Sequence, residues 1–367
     1  MAIIGNKFTL IDAAKRVDPD GTYAKIAEVL QQSNPILDDM PFFPSNAPRG
    51  NRVTFRTGLP TVQWSALNKG IQPSKSQVSS HEDTIGTLEG RSEVDRRHKG
   101  LSMSPANYAA FRYDEDQTFL ESMSQEMAKI LIAGDETTQP AAFTGFLPRL
   151  SNSADALYGK SVTKALSSTH AVDTASQPVY YESILIVDWG ERYCHGIYPY
   201  NTPAGLSKED HPNEKVVDSA GGVYYADVST FNWSMGLTIK NPKHIHAIRN
   251  IVRKTHTYGS PADTYNGLDS LESDQARPLD GTNIKAFPDV IGLMIKAMNN
   301  MDPCTNGQRV IYCSKSMLTA LEFLARNTHN MMLQFSEWDG KPVTTFRGYP
   351  IKGVDYLDVL QDSVGAA

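Results

Sequence analysis

Residues 51–95 form a long alternating stretch that lacks the apolar residues needed for a core of its own. Residues 53–57 alternate apolar with polar side chains, residues 62–66 continue the alternation, and the return segment 84–88 also has strand character. A polar tip is expected between them, at residues 70–83. Because an isolated two-stranded hairpin is only marginally stable in water, the pattern predicts an extended hairpin that lies against another surface, such as that of another subunit.

Charge is distributed unevenly around this hairpin. Residues 41–112 carry ten basic and five acidic side chains, whereas residues 113–140 carry one basic and seven acidic side chains. Two readings stay open, namely two surfaces that attract each other or two unrelated solvated surfaces. The whole chain has a formal net charge of -6, which does not indicate a protein that mainly grips nucleic acid.

A long helix is predicted over residues 113–133. Asp114, Glu115 and Asp116 fall in its first turn, where acidic groups complement the helix dipole, and Gly134 can end it. The apolar face predicted to pack into the core consists of Phe119, Met123, Met127 and Ile130. A methionine-rich stripe of this kind is typical of core packing rather than of a cofactor site.

Composition indicates a folded protein of two or three packed units. The chain has 367 residues, 40% of them hydrophobic. No apolar run approaches the roughly 18 residues of a membrane span, and no secretory signal is visible at the N-terminus. The three cysteines are an odd number, which favours reduced thiols over a disulfide framework.

Motifs that carry chemistry are absent or weak. The sequence contains no Walker loop, no dinucleotide-binding glycine pattern and no zinc-protease helix. Ser161 and Lys164 match S-x-x-K by spacing alone, His244 and His246 lie two apart without further ligands nearby, and Cys304 is expected to be structural. The sequence therefore predicts no catalytic residue, no metal site and no cofactor.

Three segments, in this order, resemble the major capsid proteins of tailed bacteriophages, and in particular a short-tailed subgroup. The first is RVTFRTGLPTVQWSALNKGIQPSKS, with EGRSEVD and SQEMAKILIAGD after it. The second is FTGFLPRL at 143–150, which is similar to the turn that leaves the long spine helix of that fold. The third is TTFRGYPIKGVDYL at 344–357, whose turn at Gly348 and Pro350 is similar to the closing strand of the family.

The resemblance implies an α+β fold with an N-arm, an extended E-loop, a peripheral P-domain and an axial A-domain. The N-arm is expected at 1–46 and the E-loop at 47–100. The P-domain is expected to comprise 101–182, 222–257 and 341–367, with its spine helix at 113–133. The A-domain is expected to comprise 183–221 and 258–340.

The resemblance also implies a structural function. Many copies, as hexamers and pentamers, would form the icosahedral head shell around packaged double-stranded DNA, with portal and scaffolding proteins as further partners and no membrane. The protein would reside in the virion and assemble in the bacterial cytoplasm. Two alternatives stay open: an encapsulin-type nanocompartment shell, and a cytoplasmic hydrolase with an unrecognised serine or histidine site.

The E-loop is expected to lie across the spine helix or P-domain of a neighbouring copy. Its candidate basic residues are Arg52, Arg56, Lys69 and Arg91, and the candidate acidic residues on the neighbour are Asp114, Glu115 and Glu121. Some relatives join an E-loop lysine covalently to a neighbouring asparagine, and Lys69 and Lys75 lie in the corresponding part of this chain. No matching asparagine or acid is identified, so a shell held without covalent cross-links is expected.

Overall fold

The computed structural model describes residues 34–101, 105–151, 155, 157–165, 180–218, 221–254, 290–325, 333–338 and 341–358. Most of the predicted N-arm lies outside the described residues, as does a large part of the second A-domain segment.

Helices and strands alternate irregularly along the described residues. The helices are α1 (Pro35–Asp39), α2 (His98–Leu101), α3 (Pro105–Ala133), α4 (Phe146–Arg149), α5 (Val290–Asn300) and α6 (Lys315–Ala325). The strands are β1 (Phe42–Pro44), β2 (Gly50–Gly58), β3 (Gln77–Asp95), β4 (Val162–Lys164), β5 (Tyr180–Trp189), β6 (Cys194–Tyr198), β7 (Leu206–Val217), β8 (Val223–Ile239), β9 (Ile245–Lys254), β10 (Gln308–Cys313), β11 (Leu333–Trp338), β12 (Lys341–Phe346) and β13 (Tyr349–Gly353). Most pairings are antiparallel, which is the α+β arrangement that was expected.

The described residues form two compact units. One contains the described parts of 86–127 and 205–235, and the other contains those of 34–85, 128–204 and 236–358. The first unit includes strand β7, whose residues are expected from the sequence to belong to the A-domain. The reason is that β7 pairs along its length with the first part of β8, so both strands belong to one hairpin.

In the first unit, α3 packs against strands β3 and β8. The ring of Phe119 stacks on that of Phe231, with 5.5 Å between centroids. Gly90 of β3 lies so near the helix that a Cβ there would be 3.3 Å from the Phe119 ring. The hydroxyl of Tyr108 donates to Asp227 Oδ2 at 2.8 Å. These contacts fix one face of the helix onto the hairpin.

The second unit is built around β5. This strand pairs antiparallel with β9 on one side and β10 on the other, and β10 continues in parallel to β13 and then to β12 and β11. Helices α5 and α6 supply Met294, Met298, Met317 and Leu321 to the core cluster that these strands line. The fully buried hydrophobic strand run Ile184–Val187 is typical of a central strand that is covered on both faces.

The segment before the hairpin is anchored to residues far along the chain. Strand β1 pairs in parallel with β6, Phe42 opposite Gly196. At the end of α1, the Asp39 carboxylate accepts a hydrogen bond from the Tyr312 hydroxyl at 2.7 Å and one from the Lys352 ammonium at 2.6 Å. Residues 34–45 are thereby tied to β10 and β13.

Helix α3 begins at Pro105 rather than at 113 and has 29 residues, so it spans about 44 Å. The acidic residues from Asp114 onward therefore lie in its third turn instead of its first. Proline is favoured at the first helical position because it has no N–H to leave unpaired. Tyr108 and Phe111 are buried and extend the apolar face beyond the predicted start.

The chain leaves α3 through a turn that requires two glycines. The amide of Gly134 donates to Ile130 O, and the amide of Gly145 donates to Gly134 O, both at 2.8 Å. A Cβ on Gly145 would lie 2.5 Å from Ile130 O and 2.6 Å from Leu131 O. The glycine in the FTGFLPRL segment thus permits a close approach of two backbones.

We expect Gly145→Ala to lower the free energy of unfolding by about 1–3 kcal/mol, because the added methyl forces the turn away from the helix end. The control is Gly70→Ala, where a Cβ would have no heavy atom within 4 Å. Urea unfolding of the two unassembled variants measures the difference. Equal stabilities would contradict the close-approach explanation.

The closing strands β12 and β13 are joined by a two-residue turn. Arg347 and Gly348 both have positive φ, at 51° and 82°. A turn of this kind matches the twist of antiparallel strands and favours glycine. Pro350 lies in β13, opposite Thr345, and not in the turn itself.

Candidate assembly surface

The hairpin of β2 and β3 ends in a loop, residues 59–76, whose large apolar side chains face solvent. The strands pair from Gly50 opposite Thr84 to Gly58 opposite Gln77. The alternating residues 62–66, predicted as strand, belong to this loop. Pairing ends at Gly58, and Pro60, two residues later, cannot donate to a ladder. The exposed apolar side chains of the loop are Leu59 at 81%, Val62 at 88%, Trp64 at 102%, Leu67 at 96% and Ile71 at 58% exposure.

This loop is basic. Residues 50–76 contain Arg52, Arg56, Lys69 and Lys75 and no acidic residue. The Arg52 guanidinium donates to Ser80 Oγ at 3.1 Å across the hairpin, and Arg56 and Lys69 are exposed. An exposed apolar surface with a basic rim is typical of a protein interaction site.

Arg91 lies elsewhere. It belongs to the part of β3 in the first unit, and its guanidinium contacts Glu214 of β7 at 3.2 Å. Of the four basic residues proposed from the sequence, Arg91 is therefore already paired within its own chain.

The base of the hairpin is held by a buried ion pair that the sequence analysis missed. Arg149 Nη1 donates to Asp83 Oδ1 at 2.5 Å, and the Arg149 side chain is 6% exposed and that of Asp83 1%. Thr238 Oγ1 donates to Asp83 Oδ2 at 2.5 Å, and Asn51 Nδ2 donates to Thr238 Oγ1 at 3.0 Å. Arg149 also donates to the Thr144 and Leu237 carbonyls. The network joins β2, β3, β8 and the end of α4.

The electrostatics of this network favour the charged pair. Burial opposes the ionised form of Asp83, but the His81 ring at 3.4 Å, the Arg149 charge and the Thr238 hydroxyl together lower its pKa below the ordinary value. Burial likewise opposes the charged form of Arg149, and the Asp83 charge raises the arginine pKa above its ordinary value.

The acidic residues of α3 do not form an open acidic face. Asp114, Glu115 and Glu121 are half-buried, and each already takes part in an interaction within the chain. Gln125 Nε2 donates to Glu121 Oε1 at 2.7 Å. Asp116, which lies between them, accepts from the Lys208 ammonium at 2.6 Å.

The apolar stripe of α3 lies largely inside. Met123, Met127 and Ile130 are 5%, 3% and 9% exposed, and Phe119 is half-buried against Phe231.

A second buried polar cluster lies in the second unit around Asp188. Its carboxylate accepts from Arg309 Nε at 2.6 Å and Arg309 Nη2 at 2.7 Å, and His244 Nδ1 lies 2.7 Å from Oδ2. His244 stacks on Tyr193 with 3.9 Å between centroids. The two carboxylate oxygens are thus already occupied by three nitrogen atoms, as expected for a structural cluster.

Ser161 and His246, which were considered for chemistry in the sequence, are engaged in hydrogen bonds within the chain. Ser161 Oγ donates to the Pro242 carbonyl at 2.6 Å, and His246 Nε2 pairs with Thr163 Oγ1 at 2.8 Å. Cys194, Cys304 and Cys313 are free thiols. Within the described ranges, no three His, Cys, Asp or Glu residues are grouped so that they could hold a metal ion.

Two histidines are buried without a carboxylate partner at hydrogen-bond distance in the described structure. Burial lowers the pKa of His195 to about 4, with a smaller contribution from the Lys240 charge. Burial also lowers the pKa of His246 to about 4, and Lys296 contributes in the same direction. Both rings are therefore neutral at pH 7.

In the part of the chain that the structure describes, no helix has the length and apolar character required to cross a membrane.

Comparisons with known proteins give a consistent result. A family model described as major capsid protein GP7 matches residues 18–364. A chain in the near-atomic structure of bacteriophage Epsilon15 is 26% identical, with a TM-score of 0.73 and 100% of both chains covered. No curated protein sequence matches the chain.

Two further solved structures are more distant. The capsid of bacteriophage JBD30 is 9% identical, with a TM-score of 0.46 over 97% of this chain and 100% of that one. The SrpI encapsulin of Synechococcus elongatus PCC 7942 is 12% identical, with a TM-score of 0.37 over 65% of this chain and 96% of that one. These TM-scores are too low to support an inference about function.

Proposed function

This chain belongs to the major capsid protein GP7 family, and on that premise we propose that its copies associate through the β2–β3 hairpin into an icosahedral shell around packaged double-stranded DNA. The structural capsid role itself, and the location in the virion capsid, follow from the family and from the whole-chain likeness to the Epsilon15 chain. Both agree with the resemblance drawn from the sequence. Hexamers and pentamers, portal and scaffolding partners and assembly in the bacterial cytoplasm belong to the proposal.

The observation that carries the proposal is the exposed apolar loop 59–76. Five large apolar side chains between 58% and 102% exposed are unfavourable in water, since burial of each stabilises by about 1.5–3 kcal/mol. The loop stands at the end of a hairpin whose base is fixed by the Asp83–Arg149 pair. A rigid base and an unburied apolar end suit an arm that docks onto another copy.

The basic residues Arg52, Arg56 and Lys69 would add contacts at the rim of that interface. Exposed ion pairs contribute only about 0–1 kcal/mol each, so most of the stability must come from burial of the apolar side chains. We also propose that the E-loop comprises about residues 47–100. The other domains keep the boundaries expected from the sequence.

We propose no catalytic step for this chain. The Ser161 hydroxyl is used in a hydrogen bond to backbone, and the Asp188 carboxylate is occupied by Arg309 and His244. In the described residues, no specific observation favours a hydrolase or an encapsulin-type compartment over a phage shell.

The test is electron microscopy of the purified protein. The wild-type chain is expected to form closed shells, and the double variant Trp64→Ser, Leu67→Ser is expected to lose at least nine-tenths of its shell yield. Tyr200→Ser is the control, because Tyr200 is 51% exposed and lies outside the hairpin. Wild-type chains that remain small oligomers would overturn the shell assignment, and a loop variant with normal yield would overturn the role of the loop.

A further inference from the structure

The loop 59–76 requires a receiving surface on its neighbour. The acidic side of α3 was the expected one, but its carboxylates are half-buried and already engaged. A receiving surface should instead be exposed, apolar and close to carboxylates that are not buried. Such a surface exists at the end of the hairpin formed by β7 and β8.

One face of this hairpin end is apolar and exposed. Val217 pairs with Val223 and Lys215 pairs with Tyr225. Directly opposed residues, and residues two apart on a strand, point to the same side of a sheet. These four side chains therefore form one surface, here called the receiving face, on which Val217, Val223 and Tyr225 are 58%, 52% and 57% exposed.

The opposite face of the same strands is already covered. Val216, Ala226 and Val228 are at most 9% exposed and form a cluster with Tyr224. The hairpin end is thus held in place by its inner face. The exposed outer face therefore belongs to strands whose other face is packed.

The charge around this hairpin complements the loop. Strand β7 carries Glu209, Asp210 and Glu214 against Lys208 and Lys215, and Lys208 is already engaged by Asp116. The Glu209 side chain is 74% exposed and that of Asp210 62%. Glu214 is paired with Arg91, and Asp210 with Lys208. Because Lys215 lies on the receiving face itself, the exposed Glu209 carboxylate is the group of β7 that complements Lys69 and Lys75 of the acid-free loop.

Edge pairing is a poor alternative for this strand. Pro212 has no N–H, Asn213 has a φ of 63°, and the register shifts between His211 and Glu214. Irregularities and charges of this kind block the addition of a further strand. A partner must therefore dock on the side-chain face.

We propose that the receiving face of one copy binds the loop 59–76 of a second copy, with Trp64 and Leu67 packed on Val223 and Tyr225. This contact is heterologous, so each copy gives its loop to one neighbour and receives a loop from another, as a ring of subunits requires. The inference rests on the proposed function, because it names the surface that the docking loop contacts.

The first test uses unmodified shells. Isotope-labelled and unlabelled copies are mixed before assembly, treated with an amine-reactive cross-linker and analysed by mass spectrometry. Links between labelled and unlabelled chains are expected from Lys69 or Lys75 to Lys215, which lies on the receiving face. The proposal would be overturned if the loop were linked only to Lys129 of α3. It would also be overturned if the shells contained no link from the loop to Lys215.

The second test uses Val223→Ser with Tyr225→Ser, which is expected to reduce shell yield at least tenfold. Tyr113→Ser is the control, since Tyr113 is 67% exposed on α3. The unassembled double variant should melt at the wild-type temperature, which separates docking from folding. Normal shell yield from the double variant overturns this inference, whereas failure of the wild-type chain to form shells overturns the proposed function instead.

Discussion

Arg149→Leu is expected to lower the free energy of unfolding by about 3–5 kcal/mol, because it leaves the Asp83 carboxylate buried at 1% exposure without its counter-ion. The Thr238 hydroxyl and the His81 ring remain near the carboxylate, but the guanidinium charge is lost. The change is measured by urea unfolding of the unassembled chain at pH 7.

The control for this prediction is Lys243→Ala, which removes an exposed pair with Asp302 at 3.5 Å and should cost about 0–1 kcal/mol. The double variant Asp83→Leu, Arg149→Leu should recover part of the loss, since no charge is then left buried. If Arg149→Leu were no more harmful than the control, the pair would not hold the base of the hairpin.

Lowering the pH from 7 to 4.5 is expected to destabilise the chain through His195 and His246. Both have a folded pKa of about 4 against an ordinary value of 6.5. Between these values the unfolded chain binds protons that the folded chain does not, so stability is lost as the pH falls through that range. At about 1.4 kcal/mol per pKa unit, each ring contributes about 3 kcal/mol over the full range.

Urea unfolding of the wild-type chain and of His246→Gln at intervals from pH 7 to 4 tests this expectation. The variant should lose roughly half as much stability as the wild type over that range. His211→Gln is the control, because the His211 side chain is 46% exposed. An identical pH dependence in wild type and His246→Gln would contradict the assignment. The contribution of Asp83 to the pH dependence can be told apart from that of the histidines. Because the pKa of Asp83 is lowered, its carboxylate is protonated, and its stabilising effect lost, only at lower pH.

Patterns of short range were read correctly from the sequence. The alternation at 53–57 predicted strand β2, and the glycine near the chain end predicted the turn at Gly348. Each depends on residues within one element, where periodicity and turn chemistry act directly.

The start of α3 was missed because the acidic residues from Asp114 onward were taken as a first-turn signal. Pro105 together with Tyr108 and Phe111, spaced to continue the apolar face, would have indicated the longer helix.

The ion pair at the base of the hairpin could not have been found from local patterns. Asp83 and Arg149 are separated by 66 residues, and nothing around either residue distinguishes it from a solvated charge. The receiving face was missed for a related reason. Val217, Val223 and Tyr225 look like ordinary strand residues until the register shows that they share the side that faces water.

The anchoring of Asp39 has a consequence for how the chain is made. Its partners Tyr312 and Lys352 follow 273 and 313 residues later. At ribosomal rates of roughly 5–20 residues per second, the Asp39 segment leaves the ribosome about 15–60 seconds before Lys352 is synthesised. Strand β1 can pair with β6 much earlier, whereas the Asp39 carboxylate gains its Tyr312 and Lys352 partners only near the end of translation. A product that terminates before Lys352 therefore lacks the ammonium that binds the Asp39 carboxylate.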